Sequence, residues 1–313
     1  MTTITSLAGG VGGARFLRGL ARVVDPRRLT VIGNTGDDEV FFGLHVAPDL
    51  DTILYTLSGR ADPGRGWGLA RDTFTCLGAL GRLGEPTWFA LGDRDLATHL
   101  FRTARLDAGW ALSRVTAALT RVHGVRSRII PMTDDPVRTF VHTDGGRHAF
   151  QDYLVRRRAR GRVRRIEIAG ARRARPAPGV LAALTAADAI ILPPSNPLVS
   201  IGPILAVAPI RHALARRRAP AAAISPLVGG RPVRGPLHRM LRGLGLEVSP
   251  AGVARLYRGL IDLFVLDRVD ASWAPRIEAL GLRVLVADTL LTTPARAARL
   301  AGAVLRALDP PRR

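Results

Sequence analysis

Residues 7–16 read LAGGVGGARF, and this glycine-rich stretch directly follows the first apolar run of the chain. The flanking pattern predicts a short buried strand over residues 3–7 and a helix over residues 14–24. Four glycines at their junction leave backbone N–H groups beside a helix start, where proteins receive phosphate or diphosphate groups. A tight strand-to-helix turn that needs positive φ explains the same glycines. The residues farther along the chain must therefore decide between a phosphate cradle and an ordinary turn.

The composition is that of a globular protein. The chain has 313 residues, of which 47% are hydrophobic, enough to bury a substantial core as one large domain or two intimate ones. No apolar run reaches the length of a membrane span, and the N-terminus lacks the charged start and apolar core of a signal peptide. The single cysteine, Cys76, excludes a disulfide framework and a cysteine-based zinc site. We therefore expect a cytoplasmic protein that has no membrane partner.

The net charge of +21 is strongly basic, but its pattern does not indicate nucleic-acid binding. All 46 basic residues are arginine, which is typical of a genome-wide codon bias rather than of selection for a phosphate track. Aromatic residues make up 5% of the chain and are not interleaved with the basic clusters, as base stacking requires. We predict no nucleic-acid partner. The absence of lysine also excludes a standard P-loop, whose glycine-rich turn ends in Gly-Lys-Ser/Thr.

Strand-like and helix-like segments alternate through most of the chain, and several strands are continuous apolar runs, as expected of parallel strands covered on both faces. The predicted strands are residues 3–7, 29–33, 127–131, 188–192, 220–224, 261–266 and 282–286. The predicted helices are residues 14–24, 68–83, 95–105, 109–121, 178–186, 203–217, 236–244, 251–259 and 294–307. This alternation predicts an α/β fold with a Rossmann-like, doubly wound, mainly parallel sheet.

Two regions interrupt the alternation. Helices between about residues 50 and 122 come without obvious intervening strands, and we expect them to form a helical cap beside the sheet. A small antiparallel insertion is predicted over about residues 137–168, from strands at residues 137–141, 147–154 and 162–168 and a hairpin turn at residues 143–146. No linker or low-complexity tract separates independent units, so we predict a single domain over residues 1–313.

Polar and acidic residues follow the second strand, at the edge where open α/β sheets bind ligands. Residues 33–39 read GNTGDDE, and residues 47–52 read APDLDT a short way on. Carboxylates such as those of Asp49 and Asp51, close to a diphosphate cradle, are what Mg²⁺ requires, with phosphate oxygens and water completing its shell. N-capping of a helix over residues 52–57 explains a single aspartate equally well.

A second polar cluster lies at residues 91–99, which read LGDRDLATH. Asp95 and His99 are four residues apart and therefore share one helical face near its start. A structural Asp–His pair explains this spacing as well as a functional one does. Asp93 and Arg94 are placed at the entry loop of the same helix, which gives the cluster its interest.

Two further polar turns follow apolar strands. Asp134 and Asp135 follow the third predicted strand, and residues 193–197 read PPSNP after the fourth. Turn chemistry accounts for the Pro, Asp and Asn residues in each. Because parallel strands end at the same edge of a sheet, all these polar turns are expected to converge on one site.

Taken in order along the chain, these segments resemble the 2-phospho-L-lactate transferases of coenzyme F420 biosynthesis, including the phosphoenolpyruvate-using bacterial form. The resemblance runs from about residue 3 to about residue 300. The segments that carry it are AGGVGGARF at residues 8–16, PDLDT at 48–52, LGDRDLATH at 91–99, DDP at 134–136 and PSNPLVSIGP at 194–203. The form of the first segment is closer to the bacterial branch than to the archaeal one.

The resemblance implies transfer of a phosphorylated three-carbon acid from its guanylyl-diphosphate form to the ribityl hydroxyl of the deazaflavin Fo, with release of GMP. It also implies Mg²⁺ and a homodimer. We assign the catalytic and metal-binding roles to Asp49 and Asp51. The residues predicted to bind substrate are Gly9, Gly10, Gly12, Gly13, Asn34, Asp37, Asp38, Asp93, Arg94, His99, Ser195, Asn196 and Ser200.

Two other classes of protein were weighed. A related family of nucleotide-sugar-binding regulators shares the glycine-rich strand–turn–helix, but a Thr-Asp-Asp-Gly-Gly-Ser-Ser-Gly type segment is expected there, and residues 34–42 read NTGDDEVFF. A Rossmann dehydrogenase needs an acidic residue at the end of the second strand, and Gly33-Asn34 does not supply one. Asp134 and Asp135 remain candidates for fixing their loop rather than for chemistry. The sequence does not distinguish among phosphoenolpyruvate, phospholactate and phosphoglycerate as the transferred acid.

Overall fold

A computed structural model, which describes residues 2–309, contains fourteen strands and twelve α-helices in that part of the chain. The strands are β1 (Ile4–Ala8), β2 (Leu29–Gly33), β3 (Glu39–Phe41), β4 (Leu44–Val46), β5 (Arg128–Pro131), β6 (Arg138–Thr143), β7 (Gly146–Ala149), β8 (Val163–Ala169), β9 (Ala189–Leu192), β10 (Ala221–Ile224), β11 (Leu227–Val228), β12 (Arg231–Pro232), β13 (Leu263–Asp267) and β14 (Arg283–Ala287). The α-helices are α1 (Gly10–Val23), α2 (Pro48–Leu57), α3 (Thr75–Arg82), α4 (Asp93–Asp107), α5 (Leu112–Val122), α6 (Val180–Thr185), α7 (Ile201–Ala206), α8 (Ala208–Ala215), α9 (Leu237–Gly243), α10 (Pro250–Leu256), α11 (Ala274–Glu278) and α12 (Pro294–Leu308).

Seven of these strands form one parallel sheet in the order β14-β13-β10-β9-β1-β2-β5. The chain builds outward from β1 through β2 to β5, and then returns to add β9 on the other side of β1. The strand order therefore reverses between β1 and β9, where Ile4 lies opposite Ala189. This topological switch point is where doubly wound sheets open a crevice for ligands. The predicted doubly wound α/β fold is confirmed.

Helices cover both faces of the sheet, which explains why its inner strands are apolar along their whole length. On one face α1, α2, α5 and α12 pack together, with Phe16 and Leu50 fully or almost fully buried. On the other face α6 to α11 form a second core that includes Ile204 and Val253. The close approach of α1 to α12 depends on Gly19, since a Cβ there would lie 2.3 Å from the backbone of Ala297.

Three predicted helix boundaries were wrong in ways that matter for the site. Helix α1 begins at Gly10 rather than at residue 14, so the glycines form its first turn. Helix α2 begins at Pro48, because proline suits the first helical position, so Asp49 and Asp51 lie within its first turn rather than before it. The segment 68–74 is not helical, since Gly68 and Arg71 adopt positive φ.

The predicted helix over residues 203–217 is two helices. Helix α7 ends at Ala206, and Val207 has an extended conformation with φ −74° and ψ 98°. Pro209 stands in the first turn of α8, where its missing N–H removes no helical hydrogen bond. Proline in the interior of a single long helix would remove one, and this explains the break.

The antiparallel insertion lies where it was predicted. Strands β6 and β7 form a hairpin in which Thr143 pairs with Gly146, and β8 pairs with the other edge of β6. The predicted strand over residues 147–154 was too long, because β7 ends at Ala149 and residues 152–156 form one π-helical turn. A small core around Tyr153 joins the insertion to α9.

The region over residues 50–122 divides between the sheet and the cap. Helices α2 and α5 pack on the sheet, whereas α3 has no buried residue. We call residues 58–92, which include α3, the cap. Within residues 2–309, no helix has the length and the apolar character that crossing a bilayer requires.

Candidate active site

A cavity of about 540 Å³ lies at the carboxyl ends of β1 and β9, at the switch point of the sheet. Its floor consists of the glycine turn after β1 and the loop after β9. The first turn of α2 supplies one wall, and Trp67, Trp88 and Phe89 of the cap supply another. Phe150 and Gln151 reach it from the insertion. The loops after β1 and β9, helix α2, the cap and the insertion therefore all line one cavity.

The glycine turn is required by the packing of the protein itself. A Cβ on Gly9 would lie 2.2 Å from Oδ2 of Asp49, and one on Gly12 would lie 2.5 Å from the carbonyl oxygen of Pro194. At Gly13 it would lie 2.4 Å from Oγ of Ser195, and Gly10 has φ +68°. Positive φ, which the ordinary-turn interpretation requires, thus explains Gly10, whereas close packing explains Gly9, Gly12 and Gly13. The first turn of α1 still opens on the cavity, where its N–H groups have no intrahelical partners.

Asp49 ties the glycine turn to the end of β2. Its Oδ1 accepts a hydrogen bond from the Gly10 N–H at 2.7 Å, and its Oδ2 accepts one from Nδ2 of Asn34 at 2.9 Å. The same amide nitrogen donates to Oδ1 of Asp37 at 2.7 Å, while Nε2 of Gln151 donates to Oδ2 of Asp37 at 3.0 Å. One buried asparagine therefore holds two carboxylates together.

Burial makes these carboxylates difficult to ionise. It raises the pKa of Asp49 to about 6, against the hydrogen bonds from Asn34 and Gly10, which lower it. Burial also holds the pKa of Asp37 well above its usual range, and the charges of Asp49 and Asp38 raise it further. The pKa of Asp38 is raised by burial too, despite a contact between its Oδ2 and Nε2 of His45 at 3.0 Å. Concentrated negative charge here would be relieved by a cation.

Asp51 lies beside a second buried network on α4. Its Oδ1 accepts a hydrogen bond from the guanidinium of Arg102, and its Oδ2 lies 3.7 Å from Nδ1 of His99. Nε2 of His99 lies 3.3 Å from Oδ1 of Asp95, which also accepts a hydrogen bond from the Tyr55 hydroxyl at 2.6 Å. The predicted Asp95–His99 pair on one helical face is confirmed, and it forms the part of the cavity wall next to Asp51.

The pKa values of this network follow from its contacts. Burial raises the pKa of Asp95, but the contact with His99, the hydrogen bond from Tyr55 and the charge of Arg102 together lower it below its usual range. Burial and the charges of Asp51 and Asp95 raise the pKa of Tyr55, which stays protonated as a donor. Asp95 therefore loses its proton more readily than Asp49, whose pKa is raised.

The residues present fit a magnesium ion that is completed by substrate. Oδ2 of Asp51 is buried without a hydrogen-bond partner, and both Asp49 and Asp51 line the cavity. Within residues 2–309, no group of three or more His, Cys, Asp or Glu side chains stands ready to hold a metal alone. Mg²⁺ is commonly bound by one or two carboxylates together with water and substrate phosphates, so the cavity would fit the ion only together with a bound phosphate group.

Most of the predicted site residues meet at this cavity. Those that line it are Gly9, Gly10, Gly12, Asp37, Asp49, Asp51, His99, Ser195, Asn196 and Ser200. Asn34, Gly13 and Asp38 lie directly behind the wall, where Asn34 is fully buried. Ser195 donates from Oγ to the Gly9 carbonyl oxygen at 2.7 Å, and Oδ1 of Asn196 accepts a hydrogen bond from the Leu198 N–H at 2.9 Å. These two side chains therefore also shape the floor.

Asp93 and Arg94 lie in the first turn of α4, not in its entry loop as predicted, and they do not line the cavity. The Asp93 carboxylate accepts hydrogen bonds from the Thr73 hydroxyl, at 2.5 Å, and from the Thr75 N–H, which help to hold its pKa at about 2. The Arg94 N–H donates to Oδ1 of Asp72 at 2.8 Å. Both residues anchor the cap on the start of α4, and a direct contact with substrate remains a prediction.

Asp134 and Asp135 fix their loop, which was the alternative considered for them. The Asp134 carboxylate accepts hydrogen bonds from the Ser113 N–H and hydroxyl at 2.6 and 2.8 Å. Oδ2 of Asp135 accepts one from the Arg175 N–H at 2.7 Å. Neither residue lines the cavity.

Several residues of the site were not predicted. Arg102 stands three residues after His99, so extending the Asp95–His99 face by one turn would have found it. Trp88 and Phe89 form an aromatic wall in which Phe89 stacks on Phe41 at 4.0 Å between ring centroids. No local signal marks Gln151, which lies 114 residues from its partner Asp37.

The fold and cavity define an α/β protein of the Rossmann-like type whose ligand site combines a helix N-terminus, buried carboxylates and an aromatic wall. Residues 4–288 match the family described as 2-phospho-L-lactate transferase CofD. The chain therefore belongs to the CofD family.

Relatives of named function match over nearly the whole chain. A phosphoenolpyruvate transferase from Streptomyces griseus is 48% identical over 92% of this chain and 93% of its own length. A 2-phospho-L-lactate transferase from Methanosarcina mazei is 37% identical over 96% of this chain and 98% of its own length. A crystal structure of a UPF0052 family protein from Bacillus halodurans superposes with a TM-score of 0.65 at 16% identity, covering 97% of this chain and 99% of that one. This last likeness supports the fold alone.

Replacing Asn34 by Ala is expected to cost more stability at pH 7.5 than at pH 5. A carboxyl whose folded pKa is raised loses stability as pH rises from its unfolded pKa to its folded one, and removing the Asn34 donor raises those folded pKa values further. The loss should therefore increase by about 1–3 kcal/mol between the two pH values. Urea unfolding in the presence of a chelator measures both free energies of unfolding.

Asn196→Ala is the matched control. Asn196 makes its hydrogen bonds to the backbone and to the Met240 sulfur, with no carboxylate among its partners in residues 2–309. The loss of stability caused by Asn196→Ala should be the same at pH 5 and pH 7.5. Equal costs at the two pH values for Asn34→Ala would contradict the assignment of the buried negative charge.

Proposed function

We propose that this protein transfers a phosphorylated three-carbon acid from its guanylyl-diphosphate form to the ribityl hydroxyl of the deazaflavin Fo, as a step of coenzyme F420 biosynthesis. Family membership supports the reaction class. The observation that carries the proposal is the placement of Asp49 and Asp51 beside the first turn of α1 in one cavity. This arrangement offers a diphosphate both N–H donors and a metal within the same chamber.

The donor would lie on the glycine turn. The first turn of α1 presents N–H groups to the cavity at Val11 and Gly12, and helix N-termini stabilise phosphate oxygens. Ser195, Asn196 and Ser200 lie on the opposite side of the turn and would contact the nucleotide. The guanosine diphosphate portion therefore spans the switch point between β1 and β9.

Asp49 would hold Mg²⁺ on the diphosphate, and Asp51 would keep its free Oδ2 for the acceptor hydroxyl. When bound, the ion neutralises the charge that develops on the phosphate oxygens and on the departing GMP. The raised pKa of Asp49 gives this role a physical basis, since a nearby cation lowers the cost of keeping that carboxylate ionised. Asp37, hydrogen-bonded through the same asparagine, would add negative charge behind the ion.

The acceptor would enter from the cap side. Trp67, Trp88 and Phe89 offer flat apolar faces suited to the deazaflavin ring, with the ribityl chain reaching toward α2. The primary hydroxyl would then lie near Asp51, whose orientation is fixed by Arg102 and His99.

In the proposed step, the Fo hydroxyl oxygen forms a bond to the phosphorus that carries the three-carbon acid. The bond from that phosphorus to the GMP oxygen breaks, and the electron pair leaves with GMP. Asp51 accepts the hydroxyl proton, so a phosphodiester, GMP and a proton account for all atoms. We further propose that the protein works as a homodimer, as the family resemblance implies.

Product formation tests this function directly. Incubation of the protein with Fo, Mg²⁺ and each guanylylated acid in turn should yield the Fo phosphodiester and an equal amount of GMP with at least one acid. Mass spectrometry identifies which of phosphoenolpyruvate, phospholactate and phosphoglycerate is transferred. Excess chelator should stop the reaction. Absence of an Fo adduct with every donor would refute the proposal.

The catalytic assignment is tested by Asp51→Asn. Because asparagine neither accepts the proton nor carries the charge, kcat should fall at least about a hundredfold at saturating Mg²⁺. Binding of Fo, followed by its fluorescence, should change little. Asp107→Asn removes an exposed carboxylate from the end of α4 and serves as the control, with normal turnover expected. Normal turnover of Asp51→Asn would show that the assignment is wrong.

A further inference from the structure

Two arginines line the cavity beside the cap loop over residues 63–65. Arg15 lies on α1, two residues after the last glycine of the turn, and Arg234 lies in the loop between β12 and α9. Their guanidinium groups approach the same point, since a Cβ on Gly66 would lie 3.5 Å from Nη2 of Arg15 and 3.3 Å from Nη1 of Arg234. The two like charges are therefore neighbours on the cavity wall.

These arginines are not neutralised by the protein. Arg15 donates one long hydrogen bond, at 3.4 Å, to the Pro63 carbonyl oxygen. Arg234 donates to the carbonyl oxygens of Arg65 and, at 3.0 Å, of Gly64. Within residues 2–309, no ion pair joins either guanidinium to a carboxylate. Burial lowers the pKa of Arg15, and the charge of Arg234 lowers it further, so the pair lacks an anion.

The N–H groups that Arg15 and Arg234 do not use within the protein indicate which ligand the two side chains would bind. A guanidinium carries five N–H donors in a planar fork, and each of these two uses only one or two of them on the cap loop. The remaining donors match a carboxylate or a phosphate oxygen pair. Since the first turn of α1 already offers N–H groups for the diphosphate, the anion left over in the donor is the carboxylate of its acid.

We propose that Arg15 and Arg234 bind the carboxylate of the three-carbon acid and thereby orient the donor. This inference rests on the proposed function and names the recognition element for the acid. Asp49 and Asp51, which also line the cavity, repel a carboxylate and attract the metal-bound phosphates. The acidic and basic side chains would therefore bind different groups of the donor and so fix its orientation. Both arginines also donate hydrogen bonds to the cap loop over residues 63–65.

Binding measurements with and without the acid test the proposal. Calorimetry of the protein with Mg²⁺ should compare GDP with guanylylated phosphoenolpyruvate, 2-phospho-L-lactate and phosphoglycerate, each in turn, and the acid that binds is then used for the variants. Arg15→Gln and Arg234→Gln should each weaken binding of the guanylylated acid about tenfold or more, as loss of a charged hydrogen bond implies. Binding of GDP should change less than about twofold, and retained GDP binding shows that each variant is folded.

Two controls separate the carboxylate contact from general charge effects. Arg22→Gln removes the same charge from the exposed end of α1 and should leave both affinities unchanged. Arg15→Lys keeps the charge but loses the planar fork, so it should weaken binding of the guanylylated acid less than Arg15→Gln does.

Three outcomes would overturn the proposal. Equal losses of affinity for GDP and for the guanylylated acid would show that the arginines bind the phosphates. Unchanged affinities in both variants would show that the arginines only hold the cap loop. Failure of the wild-type protein to bind any of the three guanylylated acids, with GDP still bound, would overturn the proposed function together with this inference. Selective loss in the variants is the one result that supports it.

Discussion

The hydrogen bond from the Gly10 N–H to Oδ1 of Asp49 is the constraint on which the rest of the site depends. It joins the first turn of α1 to the first turn of α2, and Asn34 joins the same carboxylate to the end of β2. Gly9 must lack a side chain because Oδ2 of Asp49 occupies the space where a Cβ would lie. One buried carboxylate thus explains the conformation of the glycine turn and the placement of three elements around the switch point.

The buried charge around this contact has an energetic cost that a ligand can relieve. Asp37 and Asp49 share one amide donor, and burial raises the pKa of both. Arg15 and Arg234, which also line the cavity, have no carboxylate partner within residues 2–309. The cavity therefore combines acidic and basic side chains, and the proposed donor, with its metal-bound diphosphate and its carboxylate, would contact both.

Much of the fold follows from local pattern, and the parts that do not have identifiable causes. The seven parallel strands lie within two residues of their predicted positions, because continuous apolar runs are unambiguous in a covered sheet. The start of α1 was placed four residues late, since glycine has low helix propensity and only the contacts to Asp49 and Pro194 place it in a helix. Asp49 and Asp51 were expected at the carboxyl edge of the sheet because they closely follow the second strand, and both line the cavity there.

The contacts made by distant segments were beyond local inference. Gln151 reaches Asp37 from the insertion, and Arg234 reaches the cap loop across 170 residues. Neither residue belongs to a periodic pattern or a recognisable turn, so these contacts become evident only in the folded structure. The glycines illustrate the opposite limit, because their pattern was plain and yet it equally fitted a turn and a phosphate cradle.

A crystal structure with GDP and Mn²⁺, in which anomalous scattering locates the ion, would show which residues hold the metal and the diphosphate. We predict that the manganese contacts the carboxylate of Asp49 or Asp51 together with a phosphate oxygen, and that the phosphates lie against the first turn of α1. Manganese elsewhere, or phosphates away from that helix start while the aspartates remain metal-free, would contradict it.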